Sequence, residues 1–307
     1  MMGEILAVAA GLFFGLSNIT IRQGQLQKNT DQFTGILIGV IVNNGLNFLV
    51  LGLFILCGIT FPPLNWPAVG FFAGAGLLTS FLGREFLFKS IRLLGPSRAV
   101  ALKITAPVFT VILGVLVLRE RISAPALLGI ALILTATYLI SLEQLSWGAV
   151  SGPADQPADP KTYRKGIVAA LLAGAALGTG SVFRKMGVSY YASPLVGVSI
   201  SSFTALLYLL IILTRRGRLG EVLQELPQLY SGGYLWAGVL TSLALYATYS
   251  ALLFSPVSIV NSIKASEPLF TMAGSVLLLR SREMITPRLL YLTLLVMAGV
   301  AVITVFH

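Results

Sequence analysis

Two lysines, Lys103 and Lys264, stand inside apolar runs at matching places in two similar segments. Ser97-x5-Lys103-x3-Pro107-x-Phe109-Thr110 recurs as Ser258-x5-Lys264-x3-Pro268-x-Phe270-Thr271. The only other charges well inside apolar runs are Arg84, Glu85 and Lys89 in one run and Glu267 beside Lys264. A charge at the centre of a bilayer costs roughly 2.5–3.5 kcal/mol even on the lenient insertion scale, so each is a candidate for a polar site facing the inside of a helix bundle. Each lysine lies about six residues inside its run, roughly 9 Å deep at a rise of 1.5 Å per residue. If the two runs enter from opposite faces of a hydrocarbon core of about 30 Å, the amines end roughly 12 Å apart in depth, straddling the midplane. Two ammonium groups placed so would hold a carboxylate or phosphate. The alternative is that each snorkels back to its nearer interface.

The neighbours of these lysines carry the same ambiguity. Glu267 follows Lys264 by three residues and therefore shares its helix face. It either neutralises that lysine or forms a pair that opens for a proton or a substrate. Pro107 and Pro268 each follow a lysine by four residues and remove a backbone donor, bending the helix. Arg84 and Glu85 are adjacent and cannot share one face: either one faces a cavity, or both form an interfacial pair. Among uncharged residues, Ser17 and Asn18, Ser181, Asn43, Asn44, Asn47, Tyr246, Tyr249 and Asn261 are candidates. Interhelical hydrogen bonding accounts for most residues of this kind. Asn18 and Asn261 are the first to test for substrate contact.

The elements that position these groups are long and apolar. Residues of the apolar class make up 56% of the 307 residues and charged ones 10%, whereas a soluble domain carries about 25% charged residues. Ten runs stand out, at about 5–21, 34–56, 68–89, 99–118, 124–142, 166–185, 194–213, 234–254, 259–279 and 287–306, and runs near 20 residues must be helices because lipid offers the backbone no partner. The expected fold is therefore an all-α polytopic membrane protein with ten transmembrane helices. The net charge of +10 does not point to nucleic acid, because the cations cluster between runs. Cys57 stands alone and His307 is the sole histidine, which leaves no disulfide framework, no metal-ligand set and no cofactor motif. The first run has Glu4 in place of a basic leader and is expected to be retained as a span.

The two halves echo each other. Gly11, Gly15 and Gly24 recur as Gly174, Gly178 and Gly187, Arg22 recurs as Lys185, and Leu118 to Arg121 recurs as Leu279 to Arg282. Five spans per half place the halves in opposite orientations, giving two inverted five-helix repeats, residues 1–145 and 166–307, around a polar linker at 146–165. Many secondary transporters are built this way. Gly11/Gly15, Gly70/Gly74 and Gly174/Gly178 are small-xxx-small pairs expected to let helices approach. Loop cations give an orientation. If the termini share one side, that side holds only Arg119, Arg121, Arg184 and Lys185, while thirteen basic residues, among them Arg92, Arg164, Arg215, Arg216 and Arg280, fall on the other. By the positive-inside rule both termini then lie outside.

These residues resemble the drug/metabolite transporter superfamily, in its ten-span branch of two tandem EamA domains. The marks are the glycine-rich first span of each half (GLFFGLSN, GAALGTGS), the Pro-Val-Phe-Thr or Pro-Leu-Phe-Thr of the fourth, and Leu-Arg-x-Arg with Glu120 in it or Glu283 after it. Glu267-Pro268 matches a Glu-Pro often seen there, whereas the first half has Ala106-Pro107. The resemblance implies a basket-like bundle whose central cavity is lined by spans one, three, four, six, eight and nine, and it implies alternating access. Relatives that move phosphorylated sugars use lysines in the fourth and ninth spans, where Lys103 and Lys264 stand. It also implies cytoplasmic termini, against the cation count.

The expected function is secondary transport, by export or exchange, of a small polar anionic or zwitterionic metabolite such as an amino acid. Lys103, Lys264, Asn18, Asn261, Ser181, Tyr246, Tyr249 and Arg84 are the candidate substrate-binding residues, with Glu267 and Glu85 as coupling or ion-pair groups. The alternatives are proton-coupled export of apolar or cationic drugs through Glu267 or Glu85, or a scaffold or lipid-modifying enzyme. No catalytic set is expected. The partners are a small-molecule solute, membrane lipids and a coupling proton or counter-substrate, for a monomer or homodimer in the cell membrane.

Overall fold

Uninterrupted apolar runs punctuated by proline give helices with sharp starts. Pro194 opens one helix behind Ser193, whose hydroxyl accepts the Val196 amide at 3.4 Å, and Pro160 and Pro287 begin two others. Proline suits a first turn because its missing N–H would have no partner there anyway. The computed structural model describes residues 1–27, 32–94, 105–148, 160–229, 233–267, 269–271, 273–274 and 287–306, and the regular elements among them are all helical. They are α1 (Met2–Gln27), α2 (Gln32–Leu56), α3 (Trp66–Gly76), α4 (Gly83–Leu94), α5 (Thr105–Leu118), α6 (Ala124–Gly148), α7 (Pro160–Tyr190), α8 (Pro194–Arg215), α9 (Leu219–Leu229), α10 (Gly233–Phe254), α11 (Val257–Lys264) and α12 (Pro287–Phe306).

Six helical stretches among the described residues are long and apolar enough to cross a bilayer, and Thr105–Leu118, Ala124–Leu139 and Leu294–Ile303 are shorter apolar ones. Their outward faces are greasy: Leu116, Val305, Leu128 and Phe306 are all more than half exposed. In water such a surface would drive aggregation, whereas hydrocarbon solvates it. The link after α8 carries a short helix, α9, whose Val222 packs with Leu37 of α2 and Leu213 of α8.

Three spans differ from a plain reading of the runs. The third is α3 and α4 joined by a π-helical segment, Leu77–Leu82, in which the Gly83 amide reaches back to the Leu78 carbonyl. The sixth does not end at 185: α7 continues to Tyr190, so Arg184 and Lys185 are helix-interior residues and not loop cations. The apolar neighbours on both sides, Val182, Phe183, Met186 and Val188, carry the helix through them. The ninth is interrupted, as described below. At the linker, α7 already begins at Pro160.

Two helix crossings place the site. At Gly15 of α1 an added Cβ would lie 2.7 Å from Phe270 Cβ, 2.9 Å from the Thr271 amide nitrogen and 3.1 Å from the Glu267 carbonyl oxygen. At Gly178 of α7 it would lie 2.7 Å from Phe109 Cβ, 3.1 Å from the Thr110 amide and 2.7 Å from the Ala106 carbonyl oxygen. The same three atoms of motif-matched residues meet each glycine. Thr271 and Thr110 also make matching bonds, each donating to the carbonyl four residues back and to that of Gly15 or Gly178 at 3.4 Å. A third crossing joins α6 to α12, where Gly129 and Gly299 face each other's carbonyls. Gly74 is closely packed by Phe183, but its expected partner Gly70 has nothing near it.

These contacts predict opposite signs for one kind of substitution. Gly15→Ala and Gly178→Ala should each destabilise by about 1–3 kcal/mol through overpacking, while Gly70→Ala should be neutral or stabilise by up to about 1 kcal/mol through helix propensity. Thermal unfolding of the detergent-purified protein reads all three, and equal effects would contradict the crossings.

Candidate functional site

The chain breaks its helix at a charged residue. α11 stops at Lys264, Ala265 and Ser266 form a turn, and residues 267, 269–271, 273 and 274 are helical again. At the stop, the Ala265 amide bonds the Asn261 carbonyl and the Ser266 amide that of Ile263. Proline at 268 has no N–H to offer the Lys264 carbonyl, which explains a break here; Pro268 itself lies outside the described residues. The interruption removes the continuous face that Lys264 and Glu267 were expected to share. Instead Glu267 turns to α1, where Asn18 Nδ2 donates to its Oε1 at 2.6 Å and lies 3.4 Å from Thr271 Oγ1. Asn18 is exposed within its span and Glu267 partly so. Lys264 Nζ lies 5.9 Å from the centroid of the Phe14 ring, also on α1, within range of a cation–π contact. Asn18, Lys264 and Glu267 thus meet where α1 crosses the broken helix through Gly11 and Gly15.

One turn before the break, Asn261 is buried and donates to Thr110 Oγ1 at 2.9 Å, tying α11 to α5 beside the second glycine crossing. Lys103, the motif equivalent of Lys264, lies outside the described residues. Glu85 meets Arg216 at the end of α8 at 2.5 Å, and both are partly exposed; the adjacent Arg84 is not part of that pair. Ser181 is buried and donates to the Leu177 carbonyl of its own helix. Tyr246 donates to Asn47 Oδ1 at 2.7 Å, Asn47 to Asn43 at 3.0 Å, and Asn43 to Ser242 at 2.8 Å. This chain of bonds stitches α2 to α10. Tyr246 also borders a cleft of about 470 Å³ whose other walls, Ser193 apart, are apolar, Val50, Phe54, Phe61 and Leu243 among them. No charge faces that cleft, so it suits acyl chains better than a polar solute.

Tyr249 leads to a centre that loop counting conceals. It is fully buried, its hydroxyl bonds Ser201 Oγ, and the Arg184 guanidinium lies 5.7 Å from its ring centroid. Arg184 is 7% exposed. Its Nη2 donates to Thr79 Oγ1 at 2.8 Å, and Thr79 in turn donates to the Ala75 carbonyl. Arg184 Nε is buried with no acceptor. Next to it on α7, Lys185 donates to the carbonyls of Leu252 and Ser255 at 2.6 and 3.0 Å, capping the negative end of α10.

With this geometry in hand, the comparisons with known proteins are decisive for the family. The EamA-like transporter family matches residues 1–142 and again residues 164–305. The chain belongs to that family. It is a multi-pass membrane protein of the drug/metabolite transporter kind. A crystal structure described only as that of a protein is similar over 99% of this chain and 96% of its own, with a TM-score of 0.74 at 15% identity; at that identity it speaks for the fold alone. No curated protein matches.

The family's Leu-Arg-x-Arg with its glutamate acquires a physical role here. Arg119 adopts a left-handed conformation, φ 54°, and the Glu120 amide returns to the Gly114 carbonyl. The Glu120 carboxylate then accepts the Val257 amide at 2.6 Å, the Ser258 amide at 3.2 Å and the Ser258 hydroxyl at 2.6 Å. Gly114 leaves the room, since a Cβ there would strike Ser258 Oγ and lie 2.7 Å from Glu120 Oε2. A carboxylate on a helix N-terminus satisfies orphan amides and the helix dipole together. Glu120→Ala should therefore cost about 1–2 kcal/mol of stability, with Glu120→Asp recovering little because the shorter side chain cannot span to α11. Thermal unfolding checks it, and an unchanged melting point would refute the cap.

Proposed function

We propose that this chain is a secondary active transporter that moves a small polar anionic or zwitterionic metabolite, by export or exchange, through alternating access. Ten spans form two inverted five-helix repeats, residues 1–145 and 166–307, joined by the linker at 146–165. The single observation that carries the site is the helix break between Lys264 and Glu267, facing Asn18 on α1. Discontinuous helices near the midplane commonly frame a carrier's substrate site, because the freed backbone groups and the helix ends can meet a ligand. The matched packing of Gly15 and Gly178 against the fourth span of the opposite half supports the inverted pairing. A break next to a close glycine crossing also supplies a place where one half can rock against the other.

In this reading Lys264 attracts the negative group of the solute, Asn18 exchanges its bond to Glu267 for one to the solute, and Glu267 is the coupling group. Counterflow in proteoliposomes, with a panel of amino acids, organic acids and phosphorylated sugars, should detect at least one class of solute. Lys264→Ala should lower it at least tenfold while the protein still melts cooperatively. Unchanged counterflow in that variant would remove Lys264 from the site.

The orientation follows from the corrected cation count. With Arg184 and Lys185 inside α7, the side bearing the termini keeps only Arg119 and Arg121, so the positive-inside rule puts both termini outside the cytoplasm. A phosphatase fused after His307 should be active at the periplasmic or external face; a fusion that reports only from the cytoplasm would reverse the assignment.

A further inference from the structure

Inside a bundle every charge needs an opposite charge or a full set of hydrogen bonds. The carboxylates described in the bundle are all engaged. Glu4 takes the terminal amine at 2.6 Å and the Ser255 hydroxyl, Glu85 takes Arg216, Glu120 takes the first amides of α11, and Glu267 takes Asn18. Among the described residues no ion pair reaches Arg84 or Arg184. Two guanidinium groups are left with positive charge to spare.

They are also left with it in one place. α7 runs antiparallel to the third span in a register set by three contacts: Phe72 on Gly187, Thr79 on Gly180, and Leu177 on Gly83. In that register Arg184 stands level with about residue 76, eight residues from Arg84, which is roughly 12 Å along the axis. Each side chain leans toward the N-terminus of its own helix, and because the helices are antiparallel the two arginines lean toward each other. The π-helical turn Leu77–Leu82 lies between them and presents Thr79 to Arg184. Such turns are frequent at functional sites. The buried Nε–H of Arg184 has no acceptor among the described residues, so its guanidinium keeps one donor unpaired.

We propose that Arg84 and Arg184 together bind a doubly charged oxyanion, a dicarboxylate or a phosphate ester, between the π-helical turn of the third span and α7. The guanidinium fork matches the two oxygens of a carboxylate or phosphate, and a dianion neutralises both cations at once. This site deepens the transporter reading and rests on it for its physiological meaning. Arg84 is only partly buried, so it receives the anion first, and Arg184 completes the contact.

The test uses the full chain purified in detergent at constant ionic strength in chloride. Its melting temperature is followed against succinate and glycerol 3-phosphate, with glycerol as the uncharged control. At least one dianion should raise the melting temperature by several degrees in a saturable way, and glycerol should not; which dianion acts at the lower concentration names the oxyanion. Arg84→Gln should raise the half-saturating concentration at least tenfold, and Arg184→Lys should do the same because it keeps the charge but loses the fork. No shift with either dianion, or an unchanged half-saturation in Arg84→Gln, would overturn the site. If Arg184→Lys does not fold, Arg84→Gln decides alone. Counterflow of a zwitterionic or monoanionic solute that survives Arg84→Gln, with no dianion effect on melting, would sink this site and leave the transporter reading intact. A dianion effect abolished by Arg84→Gln, with no counterflow of any solute, would do the reverse.

Discussion

A carboxylate in hydrocarbon is tolerated only where donors from another helix reach it, and that constraint organises this bundle. Glu120 holds the start of α11 from the end of α5. Glu267 is held by Asn18 of α1. Glu4, in the first turn of α1, meets the terminal amine and the last residue of the α10 bend, Ser255. Each acid therefore joins segments that are distant in sequence, and removing one strands an amide or a hydroxyl as well as the acid. The apolar contacts fill the space between helices, but they are interchangeable with lipid. The acids are what makes one packing better than another.

Glycine does the complementary work. Gly15 and Gly178 bring two helices to backbone contact at places where the next helix carries Pro-x-Phe-Thr or its equivalent. Without a Cβ, the threonine hydroxyl that bonds its own helix also lies 3.4 Å from the carbonyl of the crossing helix. The polar groups that cluster at these crossings, Asn18 and Glu267 at one and Asn261 and Thr110 at the other, are close because the backbones are close.

Much of this was legible in the sequence. The apolar runs mark the helices, the recurring glycines mark the crossings, and the Lys264–Pro268 spacing marks the bend. Residues whose partner is a neighbouring helix end were harder to read. Glu120 looks like a loop acid until the left-handed Arg119 turns it over Gly114. Arg184 looks like a loop cation because a basic pair commonly ends a span, yet the apolar residues after it continue the helix and bury it. Gly70 fails in the other direction: the small-xxx-small spacing is present, but among the described residues nothing lies within 4 Å of a Cβ placed there. Pattern reports which residues share a face of one helix. Which neighbour that face meets depends on crossing geometry, and short motifs do not encode it.

The junction between α10 and α11 is clamped from both directions. Lys185 closes the carbonyl end of α10, and Glu120 closes the amide end of α11, with only Ser255 and Pro256 between. Opposite charges at opposite helix poles make that elbow stiff, much as a welded bracket stiffens a frame. The turn at Ala265 and Ser266 therefore leaves the lysine on the clamped arm of the ninth span and the glutamate on the other.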